Sequence, residues 1–284
     1  MIQSSFLIGL IGAGIQASRT PAMHEREGAE LGLRYIYKLI DLDSLNLGAD
    51  ALPELLTAAE RMGFDGLNVT HPCKQSMLAH LNELSAEARA IGAVNTIVLR
   101  DGRRIGSNTD AAGFAESFRR GLPGATLDQV VLLGAGGAGV AVAHALFRLG
   151  VERLIVFDLD MQRAESLAAS LCTRFGEGRA CARVDLEMAM AAADGLVHAT
   201  PTGMATHPGM PLPERLLRAG TWVAEVVYFP LETELLRAAK HRGCRILDGG
   251  GMAVFQAAEA FRLFTGIQPD AERMRRHFIS MGER

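Results

Sequence analysis

Short apolar runs alternate along this chain with longer stretches in which apolar residues recur every three to four positions. The short runs predict strands and the longer stretches predict amphipathic helices. In the first half the pattern predicts strands at 6–11, 34–39 and 66–69, interleaved with helices at 21–31, 51–62 and 73–81. Two further strand-like runs, 93–99 and 104–106, flank Arg100-Asp101-Gly102-Arg103. Asp-Gly between two such runs signals a hairpin. In the second half strands are expected near 130–133, 153–157, 195–199, 222–226 and 244–247, with helices at 252–265 and 271–281 closing the chain.

This alternation predicts an α/β protein with mostly parallel sheets. A boundary falls near 108–112. The expected domains are 1–109 for substrate and 110–250 for a dinucleotide, with the C-terminal helices of 251–284 packing back on the first domain.

The strand at 130–133 runs into Gly134-Ala135-Gly136-Gly137-Ala138-Gly139, and a helical stretch follows at once. The next strand ends at Asp158. Strand, glycine turn, helix, strand and terminal acid make up the dinucleotide-binding unit. The first glycine permits a tight turn and the second lets the backbone approach a pyrophosphate. The third lets helix and strand pack closely. Gly134, Ala135, Gly136, Gly137 and Ala138 are therefore candidate cofactor contacts.

Asp158 and Asp160 decide the cofactor. A carboxylate accepts from the ribose hydroxyls of NAD, whereas the 2′-phosphate of NADP needs a cation. A like-charge contact at roughly 5 Å, with an effective dielectric of about 20, costs on the order of 3 kcal/mol. Arg163 offsets part of this, and NAD is expected over NADP. The plainer reading of the two acids is helix capping before the stretch 161–171. A second glycine turn, Gly12-Ala13-Gly14, also follows a strand, and Asp41 ends the next one. There, however, Pro21 suits a first helical position with Thr20 as N-cap, leaving an irregular loop better suited to a small anion.

Composition narrows the class. The 284 residues are 49% hydrophobic and 21% charged, with a net charge of −3. That is ordinary for a soluble globular chain and gives no electrostatic footprint for nucleic acid or an anionic membrane. No apolar stretch predicts a transmembrane helix, and the first residues lack the basic start of a signal peptide. The four cysteines fit neither a zinc spacing nor a redox pair, so free thiols in a reducing cytoplasm are expected, and no metal.

Two polar segments stand out in the first half. Asn68-Val69-Thr70-His71-Pro72-Cys73-Lys74 puts polar groups at a strand end and a lysine in the first turn of the next helix. A helix N-terminus disfavours a cation, which suits a lysine to proton transfer. Asn108-Thr109-Asp110 lies between a strand and a helix. Taken singly, Lys74 reads as a surface lysine and Asp110 as an N-cap. Together they suit a carboxylate–ammonium pair.

With these motifs the chain resembles the shikimate dehydrogenase family, including its quinate/shikimate members, over nearly its whole length. The resemblance implies a mixed α/β substrate domain, a Rossmann domain and an active cleft between them. It implies that Ser18 and Thr20 bind the substrate carboxylate. Asn68, Thr70, Asn95 and Gln256 would read ring hydroxyls, and Tyr228 would border carboxylate and nicotinamide. Lys74 and Asp110 would form the acid–base dyad. Thr200, Val226 and Gly249 are further candidates for the cofactor.

The chain also departs from the common biosynthetic pattern of that family. Thr20 stands where Ser is usual, Asp158-Leu159-Asp160 where Asn-Arg-Thr is frequent, and His198 where Asn is frequent. The first two departures resemble the NAD-using quinate/shikimate branch. The expected reaction is hydride transfer between NAD and a hydroxylated cyclohexane or cyclohexene carboxylate, in a monomer or homodimer. The alternatives are an NADP-dependent biosynthetic enzyme, an aminoshikimate-type dehydrogenase, a folate- or amino-acid-type dehydrogenase, and a non-catalytic dinucleotide-binding regulator.

Overall fold

The computed structural model describes residues 4–282. It forms two compact units. One comprises the chain up to Thr109 and again from Val254, and the other runs from Asp110 to Ala253. The helix Gly250–Thr265 begins in the second unit and ends in the first.

The first unit is built on a six-stranded mixed sheet. Its strands are β1 (Ser5–Gly12), β2 (Arg34–Asp41), β3 (Gly66–Val69), β4 (Glu83–Leu84), β5 (Thr96–Arg100) and β6 (Arg103–Ser107). Their spatial order is β2-β1-β3-β5-β6-β4. β1 lies between β2 and β3 and pairs with both in parallel, whereas β5 runs antiparallel to β3 and β6. Two-sided burial explains why β1 reads as continuous apolar sequence. The β5–β6 hairpin turns at Asp101 and Gly102, whose φ angles are 52° and 69°. Two successive left-handed residues define the turn that Asp-Gly favours.

The sequence differs from the structure in three places here. The predicted helix 73–81 is a single α-turn, Cys73–Ser76, followed by the 3-10 turn Met77–His80. Burial of Cys73 and Met77 holds this segment, and it has too few turns for helical periodicity to apply. The first helix is Thr20–Glu30 with Arg19 at its cap, so Thr20 is not the N-cap. The short β4 and the helix Ala86–Ile91 were not anticipated; Ser85 caps that helix by accepting from the Ala88 amide at 3.0 Å.

The second unit is a fully parallel sheet of β7 (Gln129–Leu133), β8 (Arg153–Phe157), β9 (Ala180–Ala182), β10 (Gly195–His198), β11 (Trp222–Glu225) and β12 (Arg245–Leu247). Its order is β12-β11-β10-β7-β8-β9. Renumbered within the unit this is 3-2-1-4-5-6, the doubly wound dinucleotide-binding topology. The strand order reverses between β7 and β10, so a crevice is expected beyond their carboxyl ends. No described helix is long and apolar enough to cross a membrane.

Candidate active site

In the first unit, buried amides and hydroxyls form one relay. The Tyr37 hydroxyl donates to Asn68 Oδ1 at 2.7 Å. Burial holds the Tyr37 hydroxyl well above its ordinary pKa, so it stays protonated. That fixes the direction of the Asn68 amide. Asn68 Nδ2 donates to the Asn95 carbonyl and to Thr96 Oγ1, both at 3.1 Å. Thr96 Oγ1 donates to Asn95 Oδ1 at 3.0 Å. Asn95 Nδ2 then donates to Thr109 Oγ1 at 2.9 Å and reaches Gln256 Oε1 at 3.5 Å.

The relay brings together Asn68, Asn95 and Gln256 from two strand ends and the helix Gly250–Thr265. Both amide hydrogens of Asn68 are engaged, so toward a ligand it offers an oxygen lone pair. The Thr109 amide donates to Asn95 Oδ1 at 2.8 Å, which fixes the backbone immediately before Asp110. Asp110 itself is buried and is the first residue of the helix Asp110–Gly121.

Lys74 lies in the one-turn helix, half-buried. So short a helix has little macrodipole. What the turn provides is placement. The Lys74 carbonyl accepts from the Val94 amide at 2.9 Å, and the Val69 amide donates to the Asn95 carbonyl at 2.8 Å. The segment carrying Thr70 and Lys74 is thereby laced to the segment carrying Asn95.

Ser18 and Thr20 flank Arg19 at the start of the first helix, both half-buried. Ser18 Oγ accepts from the Thr20 amide at 3.3 Å. Asp41 braces the loop before them. It accepts from Gln16 Nε2 at 2.8 Å, the Gly14 amide at 3.0 Å and Ser44 Oγ at 3.2 Å. These bonds, Gln16 first, hold its carboxyl below the usual range. The acid that ended the rival glycine motif is thus a loop clamp.

In the second unit the glycine turn behaves as its sequence predicts. Gly134 has φ 105°, and a Cβ there would sit 2.7 Å from the Ala199 carbonyl. A Cβ on Gly139 would meet the Gly134 carbonyl at 2.0 Å. Gly136 differs: its φ of −76° and ψ of −174° suit any residue, and a Cβ there would meet nothing within 4 Å. Neither backbone nor packing demands glycine at 136. The open space lies at the cap of the helix Gly137–Leu149, which has no side-chain cap. This fits the pyrophosphate of a dinucleotide, which needs bare amides and a positive helix end.

Asp158 Oδ2 accepts from the Ala135 amide at 2.7 Å, and Oδ1 from the Asp160 amide at 2.9 Å. The acid therefore holds the turn while keeping lone pairs for ribose hydroxyls. Capping of the helix Met161–Phe175 falls to Asp160, which accepts from the Gln162 and Arg163 amides. Arg163 pairs with Asp160 at 3.3 Å and is well exposed. Thr200 follows β10 and borders Gly134. Val226 follows β11, and its carbonyl would lie 2.4 Å from a Cβ on Gly249, so these two cofactor candidates meet closely. Tyr228 is exposed just beyond them. Among the described residues no cluster of metal-binding side chains occurs.

Sequence reading missed several polar residues that organise these sites. Tyr37, Thr96 and Thr109 orient the amides of the first unit, and Glu225 and Thr233 lie buried beside His198 in the second. Tyr37 had a legible signal, because Tyr35 and Tyr37 alternate with exposed Ile36 and Lys38 along β2.

The chain is similar to known proteins over nearly its whole length. The shikimate dehydrogenase substrate-binding domain model matches residues 10–97, and the shikimate 5′-dehydrogenase C-terminal domain model matches residues 249–277. A Streptomyces avermitilis protein named shikimate dehydrogenase (NADP(+)) is 60% identical over 96% of this chain and 95% of its own length. A Corynebacterium efficiens protein named quinate/shikimate dehydrogenase (NAD(+)) is 50% identical over 99% of this chain and 100% of its own. The structure of quinate dehydrogenase from Corynebacterium glutamicum in complex with NAD superposes with a TM-score of 0.92 at 48% identity, covering 98% of this chain and 100% of that one.

Proposed function

The chain belongs to the shikimate dehydrogenase family, and from that premise we propose that it interconverts shikimate and 3-dehydroshikimate, and quinate and 3-dehydroquinate, with NAD. The observation that carries the substrate reading is the relay from Tyr37 to Gln256, which holds several carboxamides in fixed directions beside the segment bearing Lys74. Fixed amides discriminate hydroxyl positions, because a misplaced hydroxyl leaves buried polar groups unpaired.

A bound nicotinamide supplies the hydride acceptor for oxidation and the donor for reduction. The chain's own residues do the rest. Ser18 and Thr20 bind the carboxylate. Asn68 accepts from one ring hydroxyl, and Thr70, Asn95 and Gln256 fix the others. Lys74 takes the proton of the reacting hydroxyl during oxidation and returns it during reduction. Asp110 holds that hydroxyl and orients the lysine. Tyr228 borders the carboxylate and the nicotinamide.

The preference for NAD rests on Asp158, whose lone pairs suit ribose hydroxyls and whose charge repels a 2′-phosphate. Gly134, Ala135, Gly136, Gly137 and Ala138 would hold the pyrophosphate, and Thr200, Val226 and Gly249 would be further contacts to the dinucleotide. The names of relatives at 60% and 55% identity favour a second reading, NADP. Arg183, just past β9 on the strand beside β8, is a cation such a phosphate would need. Steady-state kinetics with shikimate and quinate, each against NAD and NADP, test both readings. Higher kcat/KM with NAD is expected. A preference for NADP would overturn the role given to Asp158, and no turnover of either acid would overturn the substrate assignment.

A further inference from the structure

At the carboxyl ends of two neighbouring strands in the second unit, His198 of β10 lies in register with Glu225 of β11. Both side chains are fully buried. The Glu225 carboxylate accepts from the Val226 and Val227 amides at 2.9 and 3.0 Å and from Thr233 Oγ1 at 3.1 Å. His198 Nδ1 lies 2.9 and 3.0 Å from its two oxygens. A carboxylate accepts only, so Nδ1 carries the hydrogen.

In the tautomer whose one hydrogen sits on Nδ1, the ring presents Nε2 as an acceptor. Thr200 Oγ1 is 2.5 Å from Nε2 and is itself approached by the Thr202 amide at 3.3 Å. In that tautomer the Thr200 hydroxyl donates inward to His198. One lone pair remains on its oxygen, and it can only accept.

We propose that His198 is a positioning residue for the dinucleotide, turning the Thr200 hydroxyl so that it receives a hydrogen bond from the nicotinamide half. The donor it suits is a ribose hydroxyl or a carboxamide N–H. Without His198 the hydroxyl would rotate among its staggered positions and present a donor as readily as an acceptor. Glu225 acts one step further back, holding the ring and, through the Val226 and Val227 amides, the backbone beside Gly249. The inference rests on the proposed placement of Thr200 at the cofactor.

Two substitutions separate orientation from packing. Asn at 198 keeps a donor for Glu225 but does not reach Thr200. Gln at 198 reaches Thr200 with an acceptor but deserts Glu225. Calorimetric titration with NAD, and with NADP in parallel, would be combined with KM, kcat and melting temperature for H198N, H198Q and T200V. The expected result is a rise of about three- to tenfold in Kd and dinucleotide KM for H198N and T200V, falling on KM rather than kcat. H198Q should stay within about twofold of the parent in Kd while melting below H198N, since a buried carboxylate loses its donor.

Parent-like Kd in H198N together with weakened binding in T200V would overturn the role of His198 and leave Thr200 at the cofactor. Parent-like Kd in T200V would overturn the placement of Thr200 and, with it, this proposal. Binding that weakens in the order of the melting temperatures would make His198 a packing residue and overturn the proposal as well.

Discussion

Replacing Gly136 by alanine should leave the fold nearly as stable and weaken the cofactor site. The backbone there already adopts φ −76° and ψ −174°, which alanine tolerates, and the added methyl meets no protein atom within 4 Å. Alanine restricts the unfolded chain, which at a compatible position stabilises by about 0.4–1 kcal/mol, but it is a poorer N-cap than glycine by a similar amount, so the two effects nearly cancel. The melting temperature should stay within about 2 °C of the parent's. The same methyl enters the space assigned to the pyrophosphate. Losing one hydrogen bond to a charged group costs about 1.5–3 kcal/mol, or roughly 10- to 150-fold in Kd. Gly139→Ala is the control: its methyl would lie 2.0 Å from the Gly134 carbonyl, so it should destabilise the fold itself. Thermal melting and calorimetric titration with NAD measure both quantities. A Gly136→Ala protein that binds NAD as the parent does, or that melts as low as Gly139→Ala, would refute a ligand role for this glycine.

Lys74→Ala should bind NAD as the parent does and lose about 100-fold or more in kcat, as expected for a general acid–base group; near-parent turnover would remove it from the mechanism. Asp158→Asn should raise the KM for NAD by about tenfold and narrow discrimination against NADP, because a charge-assisted bond to the Ala135 amide becomes a neutral one; unchanged cofactor preference would contradict the ribose assignment. Burial lowers the pKa of His24 to about 3. The unfolded histidine takes a proton below about pH 6.5 while the folded one does not, so stability falls by about 1.4 kcal/mol per pH unit on acidification through that window. Urea unfolding at pH 7 and pH 5 should show His24→Gln losing about 2 kcal/mol less than the parent over this interval, and an equal loss in both would count against a neutral buried His24.

The second unit was the more legible in sequence because its chemistry is local. The turn at Gly134, the strand before it and the acid at 158 lie within one strand–helix–strand segment, where Gly134 answers to a positive φ and Gly139 to the nearby Gly134 carbonyl. The first unit is harder to read. Asn68, Asn95 and Gln256 were named through family motifs, but the side chains that aim them come from β2, β5 and the segment before Asp110, far apart in sequence. A buried threonine such as Thr96 looks like any strand residue until its partner is known. The segment 73–81 misled for a related reason: buried Cys73 and Met77 give helical spacing, but tertiary packing shapes it into an α-turn and a 3-10 turn. His198 was visible only as a departure from a family pattern, and its meaning needed Glu225 from the next strand.

Asp158 could be taken for an independent letter of a cofactor code, open to exchange wherever selection favours the other dinucleotide. Its bonds to the Ala135 and Asp160 amides say otherwise. The group that would choose between NAD and NADP also braces the turn that either cofactor must use. A lineage, or an engineer, replacing it outright would loosen the grip on both before gaining a preference for one. The passable route keeps Asp158, keeps Asp160 as the cap of the next helix, and alters the exposed neighbours Leu159 and Arg163. Cofactor choice in this chain is therefore expected to change by additions around a fixed acid.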